Sequence, residues 1–386
     1  MSQNKIKATI ATLILMIPLL SCEKEESPEE EPDEEEVMEV DWSAAADSAT
    51  DGLIDQYWNA GASYFNYTNR GNEDFHYWPQ AHALDVILDA YARNEDDHYL
   101  QYINQWYEGV NSQNGNTFLN DFYDDMEWNA LAMLRAWQMT DDSGFKESVL
   151  TLWEDILTGW NEHAEGGIMW RKGAPYGKNA CSNGPAAILG ARLYQSFDDE
   201  EYLDWALKIY SWEKNLLFDD SSGAIWDSVT EENGTLNFNK DWIFTYNQGT
   251  FVGAAIELYD ITGESVYLDD AVKAADYTLR FLVDPDTRLL KSEGDGDGGL
   301  FKGIFIRYFT QLILHPDLSE DDREKYVGFL ERNAATLWTK GMNKDEILFG
   351  ADWKRKPAYS VDLTTQLSGV MLMEAASLLE EEGLLE

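Results

Sequence analysis

Basic residues are scarce in this 386-residue chain: 28 Lys and Arg stand against 72 Asp and Glu, a formal net charge of −44. A field of that sign repels nucleic acid and anionic polymers and suits a neutral partner. Cysteine is nearly absent, with only Cys22 and Cys181, so no intrachain disulfide is expected once a leader carrying Cys22 is set aside, and Cys181 reads as a small buried residue. The five histidines, at 76, 82, 98, 163 and 315, show no metal-ligand spacing. Asp295-Gly296-Asp297-Gly298 hints at calcium but lacks the spaced ligands of a calcium loop, and a flexible loop is the simpler reading. Neither a metal nor another cofactor is therefore expected. Strand signals are sparse as well. The apolar run from Ala8 to Leu20 has 13 residues, too few to span a bilayer.

That run follows Lys5 and Lys7 and ends in Leu19-Leu20-Ser21-Cys22, so residues 1–22 read as an export signal rather than as structure. Leu-Leu-Ser-Cys resembles a bacterial lipobox, which implies lipidation of Cys22. Glu23-Lys24-Glu25-Glu26 is similar to the signal that sends lipoproteins to the outer face of the outer membrane in Bacteroidetes. Membrane contact is then expected only through the lipid anchor. From Glu23 to Glu39 there are 11 acids and one Lys, broken by Pro28 and Pro32, and residues 23–40 read as a disordered acidic tether. Residues 41–386 remain as one domain, large enough for a single core and expected to be monomeric.

Apolar residues recur at helical spacing through most of that domain. Twelve helices are predicted, at roughly 43–67, 80–93, 97–111, 125–139, 145–160, 180–196, 200–217, 247–261, 266–282, 303–314, 321–338 and 362–382. An internal repeat links them. One aromatic closes a helix and another opens the next eight residues later, at Tyr91/Tyr99, Trp137/Phe145, Tyr194/Tyr202 and Tyr259/Tyr267. Spacings of 46, 57 and 65 residues between these units are too irregular for a solenoid and fit helical hairpins with variable loops. Six hairpins predict an all-α fold, an (α/α)6 barrel. The even-numbered helices carry small residues, as in Ala186-Ala187-Ile188-Leu189-Gly190-Ala191, which suits an inner ring.

The starts of those even helices are unusual. They carry Tyr77-Trp78-Pro79-Gln80-Ala81-His82, Tyr123-Asp124-Asp125, Asn179-Ala180-Cys181-Ser182-Asn183, Phe244-Thr245-Tyr246-Asn247-Gln248, Phe301-Lys302-Gly303-Ile304-Phe305-Ile306-Arg307 and Tyr359-Ser360-Val361-Asp362. Alternating hairpins bring all six starts to one rim. Ordinary capping explains Asp, Asn and Ser at such places, but not Trp78, Tyr246, Gln248 and Arg307. Seven Asp-Asp doublets occur, and six of them, at 96, 141, 198, 219, 269 and 321, mostly lie in polar turns or helix starts. Only Asp124-Asp125 has aromatic or large apolar neighbours on both sides, between Phe122-Tyr123 and Met126. Two carboxylates held against apolar walls split their pKa values, leaving one ionised and one protonated near neutrality. Glycoside hydrolysis uses such a pair, and a retaining enzyme needs the carboxyls about 5 to 5.5 Å apart. Adjacent residues at a helix start reach about that separation, whereas deeper in a helix they diverge by about 100°. By that rotation Glu127 points elsewhere, as a supporting or surface residue.

Taken in order, Trp78-Pro79-Gln80-Ala81-His82-Ala83-Leu84-Asp85, Tyr123-Asp124-Asp125 with Trp128-Asn129-Ala130-Leu131-Ala132, Gly166-Gly167-Ile168-Met169-Trp170, Lys178-Asn179-Ala180, Tyr246-Asn247-Gln248-Gly249 and Phe301-Lys302-Gly303-Ile304-Phe305-Ile306-Arg307-Tyr308 resemble glycoside hydrolase family 76, the bacterial endo-α-1,6-mannanases. The match runs over residues 75–310 in order, with the remaining helices consistent. It implies an (α/α)6 barrel and a retaining endo-acting hydrolase of α-1,6-mannosidic bonds, with neutral α-mannan as substrate. It also implies Asp124 as nucleophile and Asp125 as general acid/base. The substrate-binding residues expected on the rim are Trp78, Gln80, His82, Tyr123, Trp170, Asn179, Tyr246, Asn247, Gln248, Lys302 and Arg307. One departure is Ser182-Asn183-Gly184-Pro185, where a residue larger than Gly is expected before the apolar run. Alternatives on the same barrel are a transglycosylase, an epimerase or an unsaturated-uronide hydrolase. Epimerases of that kind use several rim histidines, and the six starts offer only His82. A non-catalytic glycan-binding lipoprotein would need the aromatics but not the carboxylate pair.

Overall fold

The computed structural model describes residues 40–357 and 359–385. The expected export signal, the lipidated Cys22 and the acidic segment up to residue 39 lie outside them. Val40, 9% exposed, already packs into the core. Asp41 then caps the first helix by accepting the Ala44 N–H at 2.9 Å.

The twelve α-helices of the described residues are α1 (Trp42–Tyr57), α2 (Tyr77–Asn94), α3 (Asp97–Gln113), α4 (Tyr123–Thr140), α5 (Ser143–Leu157), α6 (Gly184–Phe197), α7 (Glu200–Leu216), α8 (Thr245–Thr262), α9 (Ser265–Phe281), α10 (Gly298–Leu314), α11 (Glu320–Thr336) and α12 (Leu363–Glu381). The even helices close a ring, each packing on the next and α12 returning to α2. Odd helices cover it from outside: α3 on α2, α5 on α4, α7 on α6, α9 on α8, α11 across α10 and α12, and α1 on α12. This is an (α/α)6 barrel. Burial follows from the two positions. Inner α8 buries 13 of its 18 residues, on every face, whereas outer α9 buries only the stripe Asp270, Ala271, Ala274, Ala275, Thr278 and Leu279. Small residues let the inner helices approach. A Cβ on Gly184 would stand 2.6 Å from Thr250 Oγ1 on α8, which accounts for glycine where a larger residue was expected.

The eight-residue aromatic repeat is one tight corner built four times. The carbonyls of Tyr91, Trp137, Tyr194 and Tyr259 each accept, at 2.8 Å, the N–H of a left-handed residue four positions on: Glu95, Asp141, Asp198 or Gly263. In three of these corners the next residue is an aspartate that caps the outer helix: Asp96 to His98 N, Asp142 to Gly144 N and Asp199 to Glu201 N. The doublets at 141 and 198 are thus a C-terminal cap followed by an N-terminal cap, and face solvent.

Behind the outer helices come short hairpins that carry the chain back to the rim. Trp58–Asn59 pairs with Tyr64–Phe65, Phe218–Asp219 with Ala224–Ile225, and Met342–Asn343 with Leu348–Phe349. Single bridges stand in the same place after α5 (Trp160↔Ile168) and α9 (Val283↔Leu290). The first hairpin overturns the expectation of a helix over 43–67. Asn59 stops it, because its Oδ1 accepts the N–H groups of Gly61 and Ala62, both at 3.1 Å, and closes a local turn that competes with the helix. Ser228–Glu232 and Thr235–Asn239 form a longer hairpin that pairs with Gly177–Asn179 and walls one side of the rim.

Candidate active site

α4 begins without a side-chain cap, since Phe122 occupies the N-cap position and Asp124 and Asp125 fill the first turn. The positive end of the helix therefore meets two carboxylates that are not spent on capping. A loop from residues 168–172 runs beside this start. Its Trp170 carbonyl accepts the Tyr123 N–H at 3.0 Å, and Phe122 bridges Arg171. The loop is held from below by Asn183, whose amide makes both hydrogen bonds to Ile168, 2.8 Å from its N–H and 3.1 Å to its carbonyl. It is also held by buried Lys178, whose Nζ donates to the Gly167 carbonyl at 2.6 Å. Gly167 has φ +82°, and a Cβ there would lie 2.6 Å from the Trp212 ring, so only glycine fits that turn.

Held in this way, the Trp170 indole N–H donates to Asp124 Oδ2 at 3.3 Å, and its ring meets Phe122 edge-on at 5.0 Å. A second donor reaches the same oxygen: the Cys181 thiol, from the 3-10 turn Ala180–Ser182, at 3.5 Å. Burial pushes Asp124 up to about 7, and the Cys181 thiol, the Asp125 backbone N–H and the Trp170 indole hold it from going higher. Asp125 has no such side-chain donors. Burial, then the charges of Asp124 and Asp297, drive it well above the ordinary carboxylate range. Asp124 is thus the member that ionises first, and Asp125 keeps its proton.

The rim gathers several of the expected residues round this pair. Trp78 is half-buried at the start of α2, and its indole N–H donates to Asp297 Oδ1 at 3.1 Å. Tyr246, at the start of α8, stacks on Phe301 of α10 with ring centroids 4.0 Å apart and an interplanar angle of 12°. Trp170 is 40% exposed and half-buried Asn179 ends the strand beside it. One layer down, His82 is buried between the rings of Trp78 and Trp128 with neither nitrogen hydrogen-bonded, and burial lowers it to about 3, so its ring is neutral. Asn247 is likewise buried, with its amide unpaired.

The structure places the other five expected residues in scaffold roles. Gln80 is fully buried and its amide makes both hydrogen bonds to Phe65, 2.9 Å from the N–H and 2.8 Å to the carbonyl. Gln248 does the same work more loosely, donating to the Ile225 carbonyl at 3.2 Å. Tyr123 turns outward, its hydroxyl 3.3 Å from Thr158 Oγ1. Lys302 is 1% exposed, donates to the Ala351 carbonyl at 2.7 Å and lies 3.9 Å over the Trp353 ring. Arg307, nine residues into α10 and roughly 13 Å from its start at about 1.5 Å per residue, forks onto Asp89 at 3.1 and 2.6 Å. Sequence reasoning also missed residues. Cys181, expected to be only a small buried residue, touches the nucleophile candidate, and Asp297, expected in a flexible loop, holds Trp78. Glu127, expected to be a supporting or surface residue, is fully buried with both oxygens unpaired, as is Glu213 on α7. Burial, then the charges of Asp124, Glu213 and Asp125, push Glu127 well above its ordinary value.

Comparison with known proteins places this geometry. The chain is 46% identical to an α-1,6-mannanase of Salegentibacter sp. HEL1_6, solved as an inactive variant with two adjacent aspartates replaced by asparagine and with α-1,6-mannotriose bound; the match covers 88% of this chain and all of that one, with a TM-score of 0.85. A family 76 glycoside hydrolase of Bacteroides thetaiotaomicron, 23% identical over 89% of this chain and all of its own, has the same fold with a TM-score of 0.78. Among curated proteins, a mannan endo-1,6-α-mannosidase of Saccharomyces cerevisiae is 25% identical over 304 residues, 73% of this chain and 67% of its own length. The profile of glycosyl hydrolase family 76 matches residues 41–386, and the chain, a glycoside hydrolase, belongs to that family.

Proposed function

We propose that this glycoside hydrolase cleaves α-1,6-mannosidic bonds within the backbone of α-mannan, by a retaining mechanism in which Asp124 is the nucleophile and Asp125 the general acid/base. The observation that carries the reading is the asymmetry of the pair. Two side-chain donors converge on Asp124 and none on Asp125. Asp124 attacks the anomeric carbon while Asp125 delivers its proton to the departing glycosidic oxygen. Asp125, now a carboxylate, takes a proton from water as that water displaces Asp124, and the second inversion restores the α configuration. The Salegentibacter enzyme, inactive when two adjacent aspartates are replaced, supports the same pair in this chain. The net charge of −44 fits a neutral polymer.

Digestion of linear α-1,6-mannan tests this reading. Mixed oligosaccharides whose reducing ends first appear as the α anomer by proton NMR are expected. Mannose alone would make the enzyme exo-acting, and first-formed β anomer would make it inverting.

We also infer a monomeric lipoprotein on the outer face of the outer membrane, anchored through Cys22; Leu19-Leu20-Ser21-Cys22 and the acids after it support this. Palmitate labelling that survives Cys22→Ala, or protein protected from protease added to whole cells, would overturn it.

A further inference from the structure

Asp297 is the N-cap residue of α10, but unlike Asp96, Asp142 and Asp199 its carboxylate caps nothing. It accepts the indole N–H of Trp78, from the start of α2 on the other side of the α12 start, at 3.1 Å. The loop that carries it is pinned and not free. The Gly296 N–H donates to Asp362 Oδ2 at 3.0 Å, the Gly296 carbonyl accepts Thr364 Oγ1 at 2.6 Å, and the Gly299 N–H returns to the same carbonyl at 3.1 Å. Rigid backbone thus holds an exposed carboxylate at the rim, and its second oxygen accepts no hydrogen bond from any described residue.

We propose that Asp297 is a positioning residue of this active site, which fixes the Trp78 indole and presents a standing negative charge to Asp125. This rests on the assignment of Asp125 as acid/base. Asn129 ties the two helix starts together, its amide donating to the Asp125 carbonyl at 2.8 Å and to the Tyr77 carbonyl at 3.5 Å, so Trp78 and the Asp297 that it meets share one corner of the rim with Asp125. The titratable groups that raise Asp125, or are raised by it, are Asp124 and Glu127 on α4, Asp297 at the start of α10 and the Tyr77 phenol on α2, and no cation is among them. Asp124 loses its charge when it bonds to the sugar, so it cannot keep a proton on Asp125 throughout the cycle. Asp297 forms no bond to the sugar and stands beside Trp78 throughout the cycle. It thereby favours the protonated acid before glycosylation and strengthens the same residue as a base afterwards. The contact with Trp78 joins this charge to the half-buried indole at the start of α2, so the seating of that indole and proton delivery are set by one side chain.

Two variants separate the roles. Asp297→Asn keeps an oxygen for the indole and removes the charge, whereas Asp297→Ala removes both. In carbon-13 NMR of aspartate-labelled protein, with the Asp125 carboxyl assigned by difference against Asp125→Asn, Asp297→Asn should lower the Asp125 midpoint by about 1 pH unit, the low end of the shift that one nearby charge produces. The alkaline limb of kcat/KM on α-1,6-mannotetraose should move down with it. Asp297→Ala should shift the midpoint as far and also raise KM above that of Asp297→Asn. An unshifted midpoint in Asp297→Asn overturns the electrostatic role, and equal KM values in the two variants overturn the hold on Trp78. Wild-type protein inactive on mannotetraose would overturn the functional reading, and the NMR midpoint would still decide this one.

Discussion

Asp124 and Asp125 share a helix turn, yet what donates to each sets them apart. Asp124 has the Cys181 thiol and the Trp170 indole, and Asp125 has neighbouring negative charge. Activity should therefore rise as Asp124 loses its proton, near pH 7, and fall at higher pH as Asp125 loses its own, a bell whose acid limb belongs to the nucleophile. Asp125→Ala should cost roughly 10² to 10⁴ in rate on mannan, whose alcohol leaving group needs a proton. A mannobioside with a nitrophenolate leaving group should still glycosylate Asp124 in a burst and then stall. Azide should relieve the stall and give the α-mannosyl azide; the β azide would mean that the two roles are exchanged. Glu127 yields a stability prediction of defined sign. Its folded pKa lies well above the ordinary 4.5, so its contribution is full below about that pH and is lost as pH climbs toward the folded value. Glu127→Gln should match wild type in a melt near pH 4 and exceed it increasingly up to pH 8. A gap that does not widen with pH would show that the carboxyl is already ionised. At this scale the pair itself was legible, because apolar flanks distinguish it from the six other doublets. Cys181 was not, since nothing local tells a thiol that touches a carboxylate from one that fills a core.

At the scale of the element, amides on inner helices hold the hairpins that follow outer helices. Gln80 holds Phe65, Gln248 holds Ile225, and Gln366 holds Phe349 and Ile347 at 3.0 and 2.9 Å, while Asn183 holds Ile168. Each hairpin ends inside the barrel wall, where its backbone groups cannot reach water and must be paired. Gln80→Ala should cost about 2 to 3 kcal/mol in chemical denaturation, since it leaves a buried N–H and a buried carbonyl unpaired. KM on short mannooligosaccharides should stay near wild type, and a large rise in KM would return Gln80 to the sugar. The reason Gln80 and Gln248 read as ligands is geometric. Two residues along a helix turn the side chain by about 200°, so Trp78 can face the cleft while Gln80 faces the wall. A cluster at a helix start hides that rotation until the helix has neighbours.

Across the whole molecule, the barrel closes by bringing its two ends together. Glu380 near the end of α12 accepts the first N–H groups of α1, from Trp42 and Ser43, both at 3.1 Å. Thr50 of α1 and Arg93 of α2 meet on Glu374 of α12. Far from the rim, charged pairs cross between inner helices: Arg135 with Asp85 and Asp89, Arg307 with Asp89, and Arg192 with Glu257. Burial would raise Asp89, but Arg307 and Arg135 outweigh it and hold the carboxyl at about 2. Its contribution to stability is therefore present above about pH 4 and lost as the pH falls toward 2. Arg307→Met should cost about 3 to 5 kcal/mol at neutral pH, by stranding part of a buried charge. That deficit should shrink as the pH drops through the same window. Undiminished stability with impaired mannan binding would place Arg307 at the substrate instead.

What the sequence by itself determined is periodic or local. Helical spacing, small residues on alternate helices and a repeated aromatic corner specify twelve helices and a ring, because each depends on neighbours within about ten residues. Apolar flanks on one aspartate doublet likewise mark the candidate catalytic pair. Only the tertiary structure decided which aspartate ionises first, which rim residues are buried in the barrel wall, and that Cys181 touches Asp124 and Asp297 meets Trp78. Those properties depend on donors and charges that arrive from other helices, some more than a hundred residues away, and on a rotation about each helix axis that packing alone sets.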